Sequence, residues 1–443
     1  MKIGAYILKK NAKANYKREC YNTRKWPGFE VVLHSLRSSG YEVDYVGEAT
    51  AHKYDLILMS MTSDCDWWPF IAERTRWAKS KTRVIVGGPG ILNVRPFLGI
   101  ADIFVFGRGE SVITKIVNAE EAGERVDDLC VVYSDTFSML NRYEIRQTEE
   151  PYPQEIILAN GQKYREQSIG CPAKCLFCAY TWHRKYIGDG GFSAGADSMS
   201  KGNKERTIVD LLKIAPEKWN DEGQVRIVGL DGVSERIRKM VNKPISRKMW
   251  REFIKKLLLS GKPHQLKVYS IVGYPHETEE DWTEFLEDIR MVDSDLSPGK
   301  QWSLLFHFTP FRAMPVTPAA IWPMSYRNYR KAVSRHLKKK SMPGNVFYQG
   351  NRFWAVEGMG TESLSTVIES AIVLRGTEED SERVVALATT SKYWRSNVKT
   401  KIATLEKSFD CGRLFGSYTW DNIPTRYLHS YTSDHVIKKL YGQ

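Results

Sequence analysis

The sequence predicts an α/β protein whose first 125 residues form a parallel sheet with helices on both faces. Short apolar runs alternate with segments of helical apolar spacing along this part of the chain, which is typical of strand–helix–strand units. A glycine-rich turn, Val86-Gly-Gly-Pro89, ends one of the runs and marks the end of a strand. Parallel sheets bind ligands at the carboxyl ends of their strands, so this edge is the first candidate site.

The elements of this domain are predicted from hydrophobic periodicity. Residues 54–60 are an apolar run bounded by polar residues, which favours a buried strand. Further strands are predicted at residues 3–8, 41–46, 83–90 and 103–107, and helices at residues 26–38, 67–80 and from Glu110 onward. Residues 126–165 are predicted to be a linker with short β-like pieces, in which Pro151 and Pro153 interrupt regular structure.

The composition is that of a globular protein of two or three domains. The chain has 443 residues, of which 42% are hydrophobic and 26% are charged. It contains no run of eighteen or more apolar residues, so we expect no transmembrane helix and no membrane partner. The seven cysteines do not look like a disulfide framework, and we therefore expect a reducing, cytoplasmic location.

Three of the cysteines stand together in the segment Cys171-Pro-Ala-Lys-Cys175-Leu-Phe-Cys178. Three thiolates at this spacing can bind three irons of a [4Fe-4S] cluster, which usually takes four thiolates, so one iron is left open for a substrate or cofactor. A structural zinc site is one alternative, although zinc prefers four ligands in paired sets. Chance clustering is the other, and the remaining four cysteines are isolated along the chain.

This segment resembles the radical S-adenosylmethionine (SAM) superfamily, in which the same Cys-x3-Cys-x2-Cys loop carries a [4Fe-4S] cluster. The resemblance implies that the three cysteines bind the cluster and that its open iron binds SAM. Reduction by a flavodoxin- or ferredoxin-type donor would then cleave SAM to a 5′-deoxyadenosyl radical. Phe177 matches the family's aromatic position, and Tyr180 is expected beside the adenine, near the radical. His183 is a candidate proton relay or base, although a lone histidine is more often a packed residue.

Two further segments match parts of the same family's core. Val228-Gly-Leu-Asp231-Gly-Val-Ser234 matches the family's Gly-Leu-Glu-Ser-Gly-Ser segment, so the resemblance places Asp231 and Ser234 at the cofactor. Phe306-His-Phe-Thr-Pro310 matches the last strand of the core. The resemblance thus covers residues 166–320 and implies a partial (β/α)6 barrel of the TIM type, with its chemistry at the carboxyl ends of the strands.

A third segment, residues 268–282, matches the family's strand and Gly-x-Pro-Gly-Glu-Thr turn. The resemblance implies that Ile271 packs against the adenine, that Gly273 opens the turn, and that Glu277 caps the following helix. His276 replaces the usual glycine of this turn, which is expected to alter it.

The family's Gly-Gly-Glu triplet, which holds the amino group of SAM, does not follow Cys178. A glycine- and serine-rich stretch stands there instead, at residues 188–202. Asp189 or Asp197 are candidate substitutes, but a surface insertion is the favoured interpretation of this stretch.

Residues 1–125 resemble the Rossmann-like, cobalamin-binding domain that precedes many radical SAM cores. The match lies in Met59-Ser-Met-Thr62, in Val86-Gly-Gly-Pro89 and in Gly107-Arg-Gly-Glu110, where Arg108 replaces an acidic residue. The Asp-x-His-x-x-Gly motif that ligates cobalt in some cobalamin enzymes is missing. Two alternatives stay open: the domain binds cobalamin, or it keeps the sheet without the cofactor.

Residues 321–443 are predicted to form a basic, mostly helical cap. They carry 19 Lys and Arg against 11 Asp and Glu, in a chain whose net charge is +13. Helices are predicted at residues 326–340, 362–374 and 381–388, and aromatic residues intersperse with bases in Lys392-Tyr-Trp-Arg395. This pattern suits contact with DNA or RNA through phosphates and stacked bases. It equally suits a lid that packs on the mouth of the barrel.

The sequence therefore supports a radical SAM enzyme with two hypotheses for its reaction. The first is modification or rearrangement of a nucleic-acid base, which rests on the basic C-terminal part. The alternative is cobalamin-dependent methylation of a peptide or small molecule, which rests on the N-terminal domain. A non-catalytic cluster protein is disfavoured, because the segments around Asp231 and Glu277 imply a SAM pocket that an inert cluster would not need.

Overall fold

The computed structural model describes most of the chain in separate ranges. They are residues 1–6, 8, 27–77, 81–139, 142–147, 150–158, 161, 163–166, 169–182, 186–187, 208–213, 226–259, 264–294, 302–325, 352–355, 364–419 and 428–429. None of the helices in these ranges is long and apolar enough to span a bilayer.

The N-terminal domain is built on a six-stranded sheet. Its strands are β1 Ile3–Tyr6, β2 Val43–Val46, β3 Leu56–Ser60, β4 Arg83–Gly87, β5 Ile103–Val105 and β6 Val131–Tyr133. They lie in the order β2-β1-β3-β4-β5-β6; neighbours among the first five are parallel, and β6 is antiparallel to β5. The order is that of a doubly wound, flavodoxin-type sheet, and it confirms the α/β prediction.

Helices cover both faces of this sheet because its strands are apolar on both sides. The helices are α1 Pro27–Ser38, α2 Trp67–Trp77 and α3 Ile113–Ala122. Along β3, Leu56 and Leu58 belong to the core shared with α1 and α3, whereas Ile57 and Met59 belong to the core shared with α2. The sheet also extends past residue 125, since β6 comes from the segment that the sequence predicts to be a linker.

A second parallel sheet follows the cysteine segment. Short pieces lead into it: β7 Tyr143–Glu144, β8 Ile156–Ile157, β9 Lys163–Tyr164, the helical turn α4 Ala179–Trp182 and α5 Ile208–Leu212. The sheet itself contains β10 Arg226–Gly229, β11 His264–Val272, β12 Trp302–Pro310 and β13 Arg352–Ala355, and all neighbouring pairs are parallel. Helices α6 Glu235–Met240, α7 Arg247–Leu259 and α8 Glu279–Ser294 alternate with these strands, as expected for part of a barrel.

Side-chain alternation separates the two faces of this sheet. Phe306 and Phe308 of β12 pack against aromatic rings of the helices, with ring centroids 5.1 Å and 5.7 Å from Phe285 of α8. Residues that alternate with these two along the strand therefore project to the other face. His307 lies on that face and contacts Tyr269 of the neighbouring β11 at 4.7 Å between ring centroids. Ile271, two residues further along β11, lies on the same concave face as Tyr269.

The described C-terminal helices pack on the N-terminal domain. They are α9 Leu364–Arg375, α10 Ser381–Ala388, α11 Ser391–Arg395, α12 Val398–Ser408 and α13 Cys411–Phe415; a short strand, β14 Leu428–His429, pairs with β7. Trp68 donates its indole N–H to the carbonyl of Glu369 at 3.2 Å. Asn93 donates to the carbonyl of Gly376 at 2.9 Å. The sequence predictions of helices at residues 362–374 and 381–388 are confirmed.

One buried carboxylate joins the three parts of the molecule. Asp64, at the start of α2, pairs with Arg312 at the exit of β12, with 2.8 Å between Oδ2 and Nη1. Ser370 of α9 donates its hydroxyl to the same Oδ2. Because this ion pair is shielded from water, it fixes the second sheet and the C-terminal helices against the N-terminal domain.

The aromatic residues of the Lys392-Tyr-Trp-Arg395 segment serve packing inside the C-terminal region. Tyr393 is buried and donates its hydroxyl to Glu369. Lys401 lies over the rings of Tyr393 and Trp394 at 5.1 Å and 5.2 Å. Because the Tyr393 ring is buried by these contacts, it offers no exposed surface on which a base could stack. The predicted basic helix at residues 326–340 lies outside the described residues.

Candidate active site and cofactor pocket

The cysteine loop is held in shape by the helical turn that follows it. Thr181 of α4 donates its hydroxyl to the carbonyl of Cys171 at 2.6 Å, and Trp182 donates its indole N–H to the carbonyl of Cys175 at 2.7 Å. The N–H of Cys178 donates to the carbonyl of Cys175 at 3.1 Å. Each of these bonds is local, so the sequence around the cysteines largely determines the loop's conformation.

A second set of bonds ties the same loop to the edge of the second sheet. Asn242 donates its side-chain amide to the carbonyls of Ala173 and Lys174, at 3.2 Å and 2.9 Å. The N–H of Leu176 donates to the carbonyl of Val241 at 2.9 Å. The loop therefore lies at the carboxyl ends of the strands, beside the turn after α6.

The three thiols are close enough to influence each other. Burial raises the pKa of the Cys175 thiol to about 12, and the neighbouring Cys178 and Cys171 add to this rise. Burial also raises the pKa of Cys178, whereas the backbone N–H groups of Thr181 and Tyr180 oppose the increase. Binding to iron would deprotonate such thiols outright.

The number of thiols on this loop suits a cluster better than a structural zinc ion. Among the described residues, the three cysteines included, no group of three or more His, Cys, Asp or Glu side chains is arranged to hold a metal ion. Structural zinc needs four such ligands around one ion. A cluster instead offers a separate iron to each of Cys171, Cys175 and Cys178, so three mutually influencing thiols on one loop satisfy it.

A buried ion pair lies next to these thiols. Lys243 Nζ and Asp231 Oδ2 are 2.5 Å apart, and the two side chains are only 16% and 17% exposed. Burial alone would lower the pKa of Lys243, but the adjacent Asp231 carboxylate and the Cys175 and Cys178 sulfurs raise it. Lys243 is therefore a charged lysine that is close to both cysteines.

The predicted residues Asp231 and Ser234 follow β10, but only Asp231 faces the cysteines. Asp231 has a left-handed backbone (φ 52°) and its side chain bonds to Lys243. Ser234 is buried; it accepts from the N–H of Ile237 at 3.1 Å and donates to Asp281 at 2.5 Å. Ser234 is thus the N-cap of α6, and both of these bonds are structural.

Glu277 does not cap the following helix as the sequence predicts. Its carboxylate accepts from the N–H of Gly273 and from the indole of Trp282, each at 3.0 Å, while Asp281 accepts from the N–H of Thr278. Burial raises the pKa of Glu277 to about 7, although those two hydrogen bonds oppose the rise. His276 adopts a left-handed backbone (φ 67°) in this turn, a conformation that glycine adopts without strain.

Phe177 connects the cysteine loop to the second sheet through aromatic contacts. Its ring centroid lies 6.1 Å from that of Tyr274, which is buried directly after Gly273. Tyr274 in turn lies 5.0 Å from Phe311, at the exit of β12. Ile271 is partly buried and packs against the main hydrophobic core. His183, Asp189 and Asp197 lie outside the described residues.

A cavity of about 310 Å³ opens at the carboxyl edge of the N-terminal sheet. Its volume lies in the range of small-molecule and cofactor sites. Apolar side chains and glycines form most of its lining, chiefly Val31, Val32, Leu58, Ile85, Val105, Ile113, Gly28, Gly87, Gly88, Gly107 and Gly109. Ser60 and Thr62 add hydroxyl groups where β3 ends. The cavity is thus at the edge where doubly wound sheets bind their ligands.

Two glycines allow the turns around this cavity to approach neighbouring backbone. A Cβ on Gly88 would lie 2.5 Å from the carbonyl oxygen of Met61, and one on Gly107 would lie 2.3 Å from that of Arg146. Both have positive φ, 104° and 83°. Gly28 differs, because a Cβ there would meet no protein atom within 4 Å.

The charged residues of the cavity are paired with each other. Arg108 makes a two-pronged ion pair with Glu166, with both N–O distances at 2.7 Å, and it also bonds to Glu110. Burial alone would lower the pKa of Arg108, but these two carboxylates raise it. The arginine that departs from the family pattern is thus compensated by Glu166, which belongs to the segment leading into the cysteine loop.

Tyr180 lines this same cavity. It lies in α4, between Cys178 and the two residues that hold the cysteine loop. Tyr164 and Glu166, which precede the loop, line the cavity as well. The segment that carries the three cysteines therefore contributes side chains to the cavity of the N-terminal domain.

Comparison with solved structures gives matches of low identity and low TM-score. One is the radical SAM methyltransferase TsrM from Kitasatospora setae, with cobalamin and a [4Fe-4S] cluster bound: 12% identity, TM-score 0.43, covering 92% of this chain and 99% of TsrM. Another is the cobalamin-dependent radical SAM enzyme OxsB with aqua-cobalamin and SAM bound: 11% identity, TM-score 0.27, covering all of this chain and 61% of OxsB. No family model and no curated protein matches the chain.

Several residues of the site carry no motif of their own in the sequence. Asn242, Trp182 and Tyr274 act through backbone and ring contacts that only the fold creates. Lys243 ends the segment that begins at Val228, and its spacing from Asp231 across one short helix was the available indication. Nothing in the sequence indicated a role for Glu166, because its partner Arg108 is 58 residues away.

Proposed function

We propose that this chain is a cobalamin-dependent radical SAM enzyme that methylates a peptide or a small molecule. The observation that carries this proposal is that Tyr180, which follows the three cysteines, lines an apolar cavity of about 310 Å³ that would take part of cobalamin. When bound, the cluster would supply the electron that cleaves SAM, and cobalamin would supply a carrier for the methyl group. Cobalamin-dependent methylation needs both cofactors in one shielded space, whereas a 5′-deoxyadenosyl radical needs only the cluster and SAM.

The residues of the loop and of the second sheet fit cluster and SAM. Cys171, Cys175 and Cys178 would hold the cluster, as the resemblance implies. Lys243 is a buried cation beside two of them, and it would attract the carboxylate of SAM. Asp231 holds that lysine in place, and Ile271 offers an apolar surface to the adenine.

The cavity fits cobalamin through its apolar lining and its glycine turns. Glycines at Gly28, Gly87 and Gly109 let a broad ring approach the backbone closely. None of the described lining residues is a histidine, which agrees with the missing Asp-x-His-x-x-Gly motif. This part of the chain therefore would bind the cofactor by shape and by the hydroxyls of Ser60 and Thr62.

Anaerobic reconstitution with iron and sulfide tests the cluster, read by its visible absorbance and by iron content. The variants Cys171→Ala, Cys175→Ala and Cys178→Ala should each lose the cluster, because each removes one of the three thiolates that would bind it. Cys411→Ala is the matched control, since Cys411 lies in α13 on the C-terminal helices, and it should keep the cluster. Full cluster content in the loop variants would refute the assignment.

Incubation of the reconstituted protein with SAM and dithionite tests the reaction. Methyl transfer predicts S-adenosylhomocysteine, and hydrogen abstraction predicts 5′-deoxyadenosine; both are resolved by mass spectrometry. The presence of the cluster without any cleavage of SAM would exclude the enzyme hypothesis. Added cobalamin should remain with the protein through gel filtration, and failure to do so would remove the methylase proposal.

The predicted partners remain proposals. A flavodoxin- or ferredoxin-type donor should replace dithionite in the same assay if the cluster takes its electron from such a protein. Modification of DNA or RNA, the first hypothesis from the sequence, requires binding that weakens steeply with salt. The buried ring of Tyr393 removes one of the observations behind that hypothesis, so we do not propose it as the main function.

A further inference from the structure

The cofactor cavity contacts the chain on both sides of the cysteine loop. Tyr164 and Glu166 line it a few residues before Cys171, and Tyr180 lines it two residues after Cys178. No other described residue beyond Ile113 contributes to the lining. A ligand in the cavity would therefore touch both ends of the segment that carries the three cysteines.

After the cysteine loop, the segment that reaches the cavity is the helical turn α4. Tyr180, Thr181 and Trp182 are consecutive in α4. The first lines the cavity, while the other two hold the carbonyls of Cys171 and Cys175 at 2.6 Å and 2.7 Å. A displacement of the Tyr180 ring that shifts its backbone would also shift the turn whose neighbouring side chains hold the cysteine loop.

Before the cysteine loop, the chain is joined to the cavity by the ion pair between Glu166 and Arg108. Glu166 accepts two hydrogen bonds from Arg108 at 2.7 Å and a third from the N–H of Tyr152 at 2.7 Å. These bonds anchor the chain before the loop to the N-terminal domain. With this end fixed, Tyr180 is the contact through which the occupied cavity can act on the loop.

We propose that Tyr180 is a positioning residue that couples the cavity to the cysteine loop, so that cobalamin and the cluster each strengthen the binding of the other. This inference rests on the proposed function, because it takes cobalamin as the ligand of the cavity. Coupling between two sites is reciprocal: the factor by which the cluster raises cobalamin affinity equals the factor by which cobalamin raises cluster affinity.

The test is a titration with hydroxocobalamin, followed by visible absorbance under anaerobic conditions, on the full chain with and without the cluster. The wild type should bind cobalamin at least about fivefold more tightly when the cluster is present, the lower end of typical coupling factors. In Tyr180→Ala this ratio should fall to about one, whereas Tyr180→Phe should keep it, because the ring and not the hydroxyl makes the wall.

Val32→Ala is the matched control. Val32 lines the cavity from α1 and does not belong to the segment around the cysteines. The variant should weaken cobalamin binding in both forms of the protein and leave their ratio as in the wild type. A ratio that falls to one in Val32→Ala as well would overturn the role of Tyr180.

A reciprocal measurement on the wild type keeps the inference falsifiable if Tyr180→Ala does not fold. The rate at which a chelator removes iron from the reconstituted protein should fall severalfold when cobalamin is bound. Equal cobalamin affinities with and without the cluster, and equal iron-loss rates, would overturn the coupling while the proposed function stands. Absence of cobalamin binding in both forms would instead refute the proposed function.

Discussion

The two parallel sheets of this protein build their carboxyl edges in opposite ways. At the N-terminal sheet, every described residue with positive φ is a glycine, including Gly88 and Gly107 beside the cavity. At the second sheet and its cysteine loop, non-glycine residues also hold that conformation, beside Gly170, Gly232 and Gly273; they are Lys174, Asp231, Asn242, His276 and Val316. A left-handed non-glycine residue costs about 1–2 kcal/mol, so the second edge stores backbone strain that the first edge avoids.

The side chains at the strained positions explain most of this difference. Asp231 pairs with Lys243, Asn242 holds two carbonyls of the cysteine loop, and Lys174 donates to the carbonyl of Thr181 at 3.3 Å. A glycine could adopt the same backbone but could make none of these contacts. The first edge leaves open space for an apolar ligand, whereas the second places charges and amides around the cysteines.

The largest expected effect comes from breaking the Asp231–Lys243 pair. Lys243→Met should lower the free energy of unfolding of the cluster-free protein by about 3–5 kcal/mol, because it leaves a carboxylate buried without its partner. Denaturant titration at pH 7 measures this change. The N-terminal domain offers a contrasting ion pair, Arg125–Asp135, which is 48% and 62% exposed. Arg125→Met should cost less than about 1 kcal/mol.

A double variant separates pairing from packing at this site. Asp231→Asn combined with Lys243→Met removes both charges, so it should recover much of the stability that Lys243→Met loses. If the double variant is as unstable as the single one, the lysine stabilises the edge by filling space, and the electrostatic contrast between the two edges is wrong.

Glu277 gives the second edge a distinctive pH dependence. Its pKa is about 7 in the folded protein, against an ordinary value of 4.5, because it is buried. Between these values the folded state binds more protons than the unfolded state, so stability falls as pH rises through this window, by about 3 kcal/mol in total. Glu277→Gln cannot lose a proton. Its stability relative to the wild type should therefore grow by up to about that amount from pH 5 to pH 8.

Denaturant midpoints of the two proteins, measured across this pH range, test the expectation. Parallel curves would show that Glu277 keeps an ordinary titration in the folded protein. The buried carboxyl would then not distinguish the second edge from the first, where Glu110 and Glu166 are paired with Arg108.

Gly28 offers the corresponding experiment at the first edge. Because a Cβ at this position meets no protein atom within 4 Å, Gly28→Leu should fill part of the cavity without disturbing the fold. Cobalamin affinity should fall about tenfold, which is about 1.4 kcal/mol. Thermal stability should stay the same or rise slightly, since Gly28 is in the first turn of α1 and leucine favours helix more than glycine does.

Gly47→Leu is the matched control for this experiment, because Gly47 also has open space around its Cβ position but does not line the cavity. It should leave cobalamin binding unchanged. Equal affinity in Gly28→Leu and Gly47→Leu would place the ligand elsewhere, and the first edge would not be a cofactor site.

The N-terminal sheet was predictable because its information is local. The strands β1 to β5 lie within the predicted segments, since each is an apolar run with a turn after it. The strand β6 lies where the sequence predicts short β-like pieces, but its place in this sheet was not predicted, because it has only three residues and pairs antiparallel after a long connection. The spacing of the three cysteines predicts a cluster site, and this stays a prediction.

The relation between the two edges was not predictable from the sequence. The resemblance implies that Tyr180 lies beside the adenine, which stays a prediction; that Tyr180 lines the cavity of the N-terminal domain follows only from the structure. That position depends on how the two domains pack, through contacts such as Arg108 with Glu166 and Asp64 with Arg312. Pairs separated by 58 and 248 residues leave no periodic pattern in a single sequence.

The smallest expected effect tests whether strain at the second edge is retained for side-chain contacts. His276 is exposed, and it adopts a left-handed backbone in a turn where the family has glycine. His276→Gly should raise the free energy of unfolding by about 0.5–1 kcal/mol, the relieved strain less the entropy cost of glycine. Asn242→Gly relieves similar strain but loses the bonds to Ala173 and Lys174, so it should lower stability by about 1 kcal/mol. If both variants gain stability, the Asn242 bonds to the cysteine loop do not compensate the strain, and the contrast between the two edges reduces to backbone conformation alone.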